Sequence, residues 1–235
     1  MSMMIFPGLF GEPVVPTISA SSQTIQNTSG TSVTTSSNSP VAGELLILFL
    51  AYGENLADAT SIVWPSGFTE GGRLSPFRAS GAWAWKIATG SETSTYTVSW
   101  STGNTRSILS LIRIANHNGI EGYSTDNRAS NSNAPRAPAY SSTPTPSKRL
   151  VLHAFGWGGG TGTITPPTLT PAVSVLLSTV FTSAGSNTDG TGCAVLAREE
   201  TTTTYASWTS TSTWTGNASG SYWASFSIAI KYGVP

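Results

Sequence analysis

The sequence predicts an all-β fold: a jelly-roll-like sandwich of two packed antiparallel sheets, formed by two related halves and preceded by an extended N-terminal arm. Ser and Thr number 36 and 34 among 235 residues, whereas charged residues make up only 9%. Branched Thr suits the pleated surface of a strand, Ser suits turns, and the 24 Gly and 14 Pro argue against helices. Short apolar runs that recur in the same order predict the two halves.

Charge and cysteine content exclude several classes of function. The formal net charge is zero and the 11 Lys and Arg residues are scattered, so the chain offers no basic surface to nucleic acid or to an anionic membrane. The single cysteine, Cys193, lies in the apolar run 193–197 and is predicted to be a small buried side chain. No Cys and His cluster has the spacing of metal ligands, so we expect neither a metal nor another cofactor.

Residues 1–18 predict an extended arm that carries apolar side chains. Prolines prevent a helix in this segment, and its apolar residues are Ile5, Phe6, Leu9, Phe10, Val14 and Val15. Such an arm docks onto a neighbouring subunit, covers an edge of its own domain as a first edge strand, or stays disordered, and the sequence leaves these alternatives open. The segment lacks the basic start of a signal peptide, so we expect synthesis in a cytoplasm without export.

The sandwich is predicted to span residues 19–235, with its first half at about 30–116. Polar residues 19–40 permit one or two short strands or a linker. The run 43–51 is apolar and bounded by turn residues, which predicts a central strand that is covered on both faces. The remaining features of this half are a turn at 64–68 and strands at 80–88, 95–100 and 107–115.

The second half, at about 148–233, repeats these features in the same order. Five features match at offsets of roughly 105 to 118 residues, which is hard to attribute to chance. Each half alone would leave an apolar sheet face in water, so we expect the two halves to share one sandwich. The polar, Pro-containing residues 117–147 are predicted to be an irregular connection.

No group of residues has the pattern of a catalytic site, and we expect a protein that is not an enzyme. His117 lies in an Asn-His-Asn-Gly turn and His153 within a strand, and neither has companions in the sequence that suggest a triad. The adjacent Glu199 and Glu200 point to opposite faces if they lie on a strand, so they cannot flank one glycosidic bond. The glycine-rich loop 158–162 lacks the lysine of a phosphate-binding loop.

Aromatic side chains offer another kind of site, because Trp and Tyr combine an apolar face with a polar tip. Five tryptophans occupy alternating strand patterns and are predicted to pack in the core or between subunits: Trp83, Trp85, Trp100, Trp208 and Trp223. Trp157 stands beside a glycine loop, and Trp214 stands among Thr, Gly and Asn. These two are the candidate residues for surface contact with glycans.

Four motifs of the first half carry a resemblance to known proteins. They are Gly-Glu-Leu-Leu-Ile-Leu (43–48), Trp-Pro-Ser-Gly-Phe-Thr (64–69), Ala-Trp-Lys-Ile-Ala-Thr-Gly (84–90) and Tyr-Thr-Val-Ser-Trp (96–100). In this order they resemble uncharacterised β-sandwich proteins encoded among the virion genes of tailed bacteriophages, over about residues 30–233. In the second half Pro-Pro-Thr-Leu replaces the turn motif, and the position of Lys86 is predicted to be apolar.

The resemblance implies a structural protein of the virion. The first role that it implies is that of a capsid decoration or cement protein, which binds the major capsid protein or other virion proteins. Such a protein is expected to be a homotrimer and to bind through its N-terminal arm. The alternative is a head-fibre or tail module that attaches to the host by binding surface glycans. Either protein would be located in the virion.

Overall fold

The structure is a computed structural model, and it describes residues 14–53, 62–74, 79–101, 105–128, 136–138, 140–141, 149–158, 162–163, 174–180, 191–200, 204–205, 208–209, 215–216 and 222–232. These residues form strands and turns without a helix, and the strands assemble into packed antiparallel sheets. The predicted all-β sandwich is confirmed.

The described part of the first half contains eight strands. They are β1 (Thr17–Gly30), β2 (Ser32–Thr34), β3 (Leu45–Gly53), β4 (Ile62–Val63), β5 (Thr69–Leu74), β6 (Ala79–Ile87), β7 (Thr97–Trp100) and β8 (Thr105–Ala115). Five of them form the first inner sheet, in the order β1-β8-β3-β6-β5, and three form an outer sheet, in the order β2-β7-β4. Strands that follow one another mostly alternate between the two sheets, as in a jelly roll.

The second half is built in the same way. Its described strands are β9 (His117–Arg128), β10 (Arg136–Ala137), β11 (Tyr140–Ser141), β12 (Arg149–Gly158), β13 (Gly162–Thr163), β14 (Ser174–Val180), β15 (Thr191–Glu200), β16 (Thr204–Tyr205), β17 (Trp208–Thr209), β18 (Thr215–Gly216) and β19 (Tyr222–Tyr232). The second inner sheet has the order β14-β15-β12-β19-β9, and the short strands pair as β10–β17, β11–β16 and β13–β18.

The two inner sheets have the same topology, which confirms the two related halves. Starting from the strand that comes first in the chain, the orders are β1-β8-β3-β6-β5 and β9-β19-β12-β15-β14. Strands β9, β12, β14, β15 and β19 therefore correspond to β1, β3, β5, β6 and β8. The pairing agrees at the central strands: Leu45 lies between Ile87 and Ile114, and Leu150 lies between Glu199 and Ile230.

This correspondence corrects one detail of the sequence comparison. Lys86 pairs with Leu46 of β3, and the residue in the same place of the second half is Arg198, which pairs with Val151 of β12. The position is therefore basic in both halves rather than apolar. The prediction was wrong by one residue, because the small and apolar residues on both faces of β6 and β15 give the register little contrast.

The inner sheets pack face to face around the main core. The first sheet contributes Leu45, Ile47, Phe49, Trp83, Ile108, Ile112 and Ile114, and the second contributes Leu150, Leu152, Val195, Phe226, Ile228 and Ile230. The opposite face of the first inner sheet packs on the outer sheet through Leu46, Leu48, Leu50, Tyr52, Leu109, Val33, Val98 and Trp100. Because β3 is covered on both faces, as predicted, its sequence is continuously apolar.

The polar segment after residue 116 is not an irregular connection at its beginning. Residues 117–128 form β9, which is the edge strand of the second inner sheet and pairs with β19. An edge strand with one face in water needs few apolar residues, so this segment lacks the hydrophobic run that identifies a central strand. Similarly, β1 begins at Thr17, so the first half starts earlier than the predicted position near residue 30.

Candidate assembly surface

Strand β1 forms an open edge of the first inner sheet. It pairs with β8 on one side, and within the described part of the chain no strand pairs with its other side. Its 14 residues, Thr17–Gly30, include neither a charged residue nor a proline. Edge strands are commonly protected by charges, prolines or short length, so β1 is open to pairing with a strand of another chain.

The other edges of the inner sheets are better protected. Strand β5 has 6 residues, among them Glu70 and Arg73, and these two side chains form an ion pair with a 2.8 Å separation of Arg73 Nη2 and Glu70 Oε2. Strand β9 carries Glu121 and Asp126. Strand β14 is uncharged like β1 but has 7 residues. The longest uncharged edge in the described structure is therefore β1.

The inner face of β1 is fixed to the core of the molecule. Ile18 and Ile25 pack against the main core. The amide Nε2 of Gln23 donates hydrogen bonds to Ser110 Oγ, at 2.9 Å, and to Cys193 Sγ, at 3.5 Å. As predicted, Cys193 is fully buried, and burial raises the pKa of its thiol to about 12 although Ser110 and Gln23 lower it. These contacts hold the strand in place while its edge stays open.

A buried carboxylate anchors the beginning of β1. Glu44 is 5% exposed; it accepts hydrogen bonds from Ser19 Oγ and from the backbone N of Val41, and it pairs with Arg113 at 2.7 Å. Burial raises the pKa of Glu44, but the hydrogen bonds from Ser19, Val41 and Arg113 outweigh burial, so the net pKa is lowered. The ionised carboxylate thus ties β1 to β8 and to the loop before β3.

The arm reaches the described structure at its last residues. Val14 is 40% exposed, Val15 is half-buried, and β1 begins two residues later. The other predicted arm residues, Ile5, Phe6, Leu9 and Phe10, lie outside the described residues. The predicted arm boundary at residue 18 is close to the observed start of β1.

Three of the four sequence motifs, those at 64–69, 84–90 and 96–100, come together around Lys86. Its ammonium group lies 3.2 Å from Glu92 Oε1, 5.6 Å from the ring centre of Phe68 and 5.9 Å from that of Tyr96. Burial raises the pKa of Glu92, but hydrogen bonds from Thr89, Lys86 and Gly90 outweigh it and lower the pKa to about 2. Three of the four motifs therefore meet in one packed cluster.

Trp157 is not a surface residue, and its prediction as a contact residue is wrong. Its side chain is 1% exposed and lies on β12 directly opposite Gly192 on one side and Trp223 on the other. A Cβ added at Gly192 would lie 1.8 Å from the indole of Trp157. The indole therefore packs over Gly192 in the interior and is not available for contact at the surface. Trp214, the other candidate, lies outside the described residues.

The other tryptophans follow the core prediction where their side chains are described. Trp83, Trp100 and Trp223 are buried, and Trp85 packs against the main core. The side chain of Trp208 lies outside the description.

Tyr123 on β9 is an exposed aromatic residue that the sequence did not identify. It is 45% exposed and stacks edge to face on Trp83, with ring centres 5.2 Å apart and an interplanar angle of 76°. Its ring also lies beside Gly72 of the edge strand β5. The signal was missing because a lone Tyr in a polar stretch does not reveal which side of a strand it occupies.

Both histidines have structural hydrogen bonds. In His117, Nδ1 accepts a bond from the backbone N of Gly119 at 2.9 Å, so the proton lies on Nε2, which donates to the Gly43 carbonyl at 2.9 Å. His153 is buried and its Nδ1 lies 2.9 Å from Ser227 Oγ.

The neighbours of His153 leave it no catalytic role with Ser227. Ser227 donates its proton to the Pro138 carbonyl at 2.9 Å, so His153 Nδ1 is the donor in their mutual bond. Burial, and to a smaller extent the charge of Arg198, lower the pKa of His153 to about 3. A serine that already donates its hydroxyl proton to a carbonyl is not poised as a nucleophile.

The acidic doublet lies at the end of β15. Glu199 accepts a hydrogen bond of 2.6 Å from the hydroxyl of Tyr232, and burial together with this carboxylate raises the pKa of Tyr232. The side chain of Glu200 lies outside the description.

The described residues contain no group of three or more His, Cys, Asp and Glu that could hold a metal ion. They also contain no helix that is long and apolar enough to span a membrane. Comparison of the chain with family models, with curated proteins and with solved structures gives no match. The features of the molecule that bear on its function are therefore the arm, the open edge of β1 and the exposed ring of Tyr123.

Proposed function

We propose that this protein is a non-enzymatic structural protein of a bacteriophage virion, a capsid decoration or cement protein that binds the head lattice through its N-terminal arm. The observation that supports the proposal is the place where the arm joins the fold. The apolar arm leads directly into β1, the longest uncharged open edge of the described structure. In the proposal, the arm and the edge of β1 both contact the neighbouring subunit.

Elementary energetics favour this surface for assembly. Apolar side chains of the arm gain about 25 cal/mol for each Å² that they bury on a neighbour. A neighbour's strand that pairs with β1 adds main-chain hydrogen bonds, and side chains that alternate along the strand add specificity. The formal net charge of zero produces no long-range repulsion between copies.

The partners follow from the same proposal. The arm would bind the major capsid protein or another virion protein, and the protein would act as a homotrimer on local threefold axes of the head, as the phage resemblance implies. No cofactor is part of the proposal.

Deletion of residues 1–16 tests the proposal, because it removes the arm and leaves β1 intact. The truncated chain should keep its far-UV circular dichroism spectrum and lose binding to expanded capsids in a co-sedimentation assay. A second, full-length variant tests whether the apolar side chains of the arm are responsible. With Ile5, Phe6, Leu9 and Phe10 changed to Ser, it keeps the length of the chain and should lose binding as well. If the truncated chain is folded and binds capsids with unchanged affinity, the arm mechanism is wrong.

A head-fibre or tail module that binds host glycans is the second candidate function. Burial removes Trp157 from this candidate, but the exposed ring of Tyr123, which is held edge to face by Trp83, favours it. Binding of the intact protein to a glycan array that Tyr123→Ala abolishes would support the glycan function over capsid decoration.

A further inference from the structure

We infer that the inner faces of the two halves form an interface of the kind found in a twofold-symmetric dimer, and that Gly81 with Phe226, and Ser110 with Cys193, make each half specific for the other. The partner that fits either inner face is thus the opposite half of this chain, not a second copy of the same half. This inference goes beyond the proposed function and does not depend on it.

The contacts between the inner sheets have the symmetry of a dimer. Strand β3 lies on β12, its own equivalent. Each of the other contacts has an equivalent contact in which the halves are exchanged. The contact of β6 with β12 is equivalent to that of β15 with β3, and the contact of β8 with β15 is equivalent to that of β19 with β6. The contact of β1 with β14 has its counterpart in β9 and β5, where Tyr123 lies beside Gly72. If every strand is exchanged for its equivalent in the other half, the same contacts between the inner sheets result. This is the property of a twofold-symmetric arrangement.

The strand registers identify which residues occupy equivalent places. Gly81 pairs with Ala51 on β3, and Cys193 pairs with Gly156 on β12. Ser110 pairs with Phe49.

Phe226 pairs with Ala154 in the same way as Ser110 pairs with Phe49. Since Leu45 corresponds to Leu150, Gly81 corresponds to Cys193 and Ser110 corresponds to Phe226. The contact of Gly81 with Phe226 and the contact of Cys193 with Ser110 therefore occupy equivalent positions, related by the twofold exchange of the halves.

The sizes of the side chains are reversed at these two places. The ring of Phe226 lies over Gly81, where an added Cβ would be 2.9 Å from Phe226 Cε2, and it also stacks edge to face on Phe49 with ring centres 5.7 Å apart. At the equivalent place Ser110 Oγ and Cys193 Sγ are 3.3 Å apart. One contact joins a large residue to a glycine, and the other joins two small residues.

This reversal makes the interface selective. Two first halves would place Ser110 over Gly81 at both contacts and leave two gaps, and gaps in a core are destabilising. Two second halves would place Phe226 against Cys193 at both contacts and overpack the core. The pairing of a first half with a second half satisfies both contacts, so the interface combines complementarity with discrimination against like halves.

A double-mutant cycle in the full-length chain tests the inference. Gly81→Cys should lower the midpoint of urea unfolding because its side chain meets Phe226, and Phe226→Ser should lower it because a cavity opens. The double variant recreates the Ser–Cys contact of the other site, so its midpoint should lie above that of Gly81→Cys alone. Gly81→Cys combined with Phe155→Ser is the matched control, since Phe155 is equally buried but lies on the other face of β12.

The outcome is decisive in either direction. Recovery in the double variant and none in the control supports the paired contacts. A double variant whose midpoint falls by the sum of the two single shifts would overturn the inference. If Gly81→Cys does not fold, Gly81→Ala replaces it in the same cycle, with Phe226→Ser expected to relieve the smaller clash and the same additive result counting against the inference.

Discussion

At the scale of single residues, close neighbours across the strands determine what a side chain can do. Trp157 is buried because Gly192 stands opposite and leaves room for the indole, which no reading of the flanking glycine loop could indicate. His153, for which the sequence indicated no triad, forms a hydrogen bond with Ser227. Residue type predicted burial correctly for the apolar side chains of the strands. It misled where burial depends on a residue that is distant in the sequence, as for Trp157 and Gly192.

His153 should make the stability of the protein depend on pH. Its pKa is lowered to about 3 by burial, whereas in the unfolded chain it is about 6.5. The unfolded state therefore takes up a proton that the folded state does not. The stabilisation is complete above about pH 6.5 and is lost as pH falls toward 3, by about 1.4 kcal/mol for each pH unit.

Urea unfolding between pH 7 and 5 measures this contribution. His153→Asn keeps a donor for Ser227 but does not titrate, so its free energy of unfolding should fall less steeply than that of the unaltered chain. The two proteins differ only at position 153, so the difference between their slopes is the contribution of His153. Identical slopes would show that His153 titrates alike in the folded and unfolded states.

At the scale of elements, the strands that were predictable are those with a long apolar run or a regular alternation of polar and apolar residues. Strands β3, β12 and β8 have long apolar runs and β7 alternates, and all four lie where the sequence placed them. Strand β9 was missed because an edge strand needs one apolar face at most, and its polar residues were interpreted as a connection. Edges are also where the candidate site lies, so the site was predictable from the apolar arm but not from the strand it joins.

A charge on the edge of β1 should weaken assembly without unfolding the protein. Ser21 is exposed, and Lys on an edge strand opposes pairing with another strand. Ser21→Lys should lower the affinity for expanded capsids at least tenfold, about 1.4 kcal/mol, with little change in the urea midpoint. Thr125→Lys on β9 is the matched control, because it adds the same charge at an exposed residue of a different edge strand. Equal losses in both variants would indicate a general charge effect instead of a contact at β1.

At the scale of the whole molecule, the duplication explains the layers. Each half supplies one inner sheet with an outer cover, and the inner sheets bury each other around a twofold-like axis. The sequence predicted two halves that share one sandwich, because a lone sheet would expose an apolar face. For the outer layer of the second half it predicted a counterpart of the strand at 95–100 and no other strand, because the described strands there have two residues each and leave too little periodicity to recognise. In the proposed function, this double jelly roll is the body from which the arm and β1 reach a capsid.

The proposed function requires the protein to lie on the head of an intact phage particle. Electron cryomicroscopy reconstructions of two particles would show this position. One particle carries the full-length chain, and the other carries the chain without residues 1–16. We predict density of the double jelly roll on the outer surface of the head, at local threefold positions, with β1 facing the lattice, and its loss from the truncated particle. Density only in a fibre or in the tail, or head density that is unchanged by the deletion, would contradict the account.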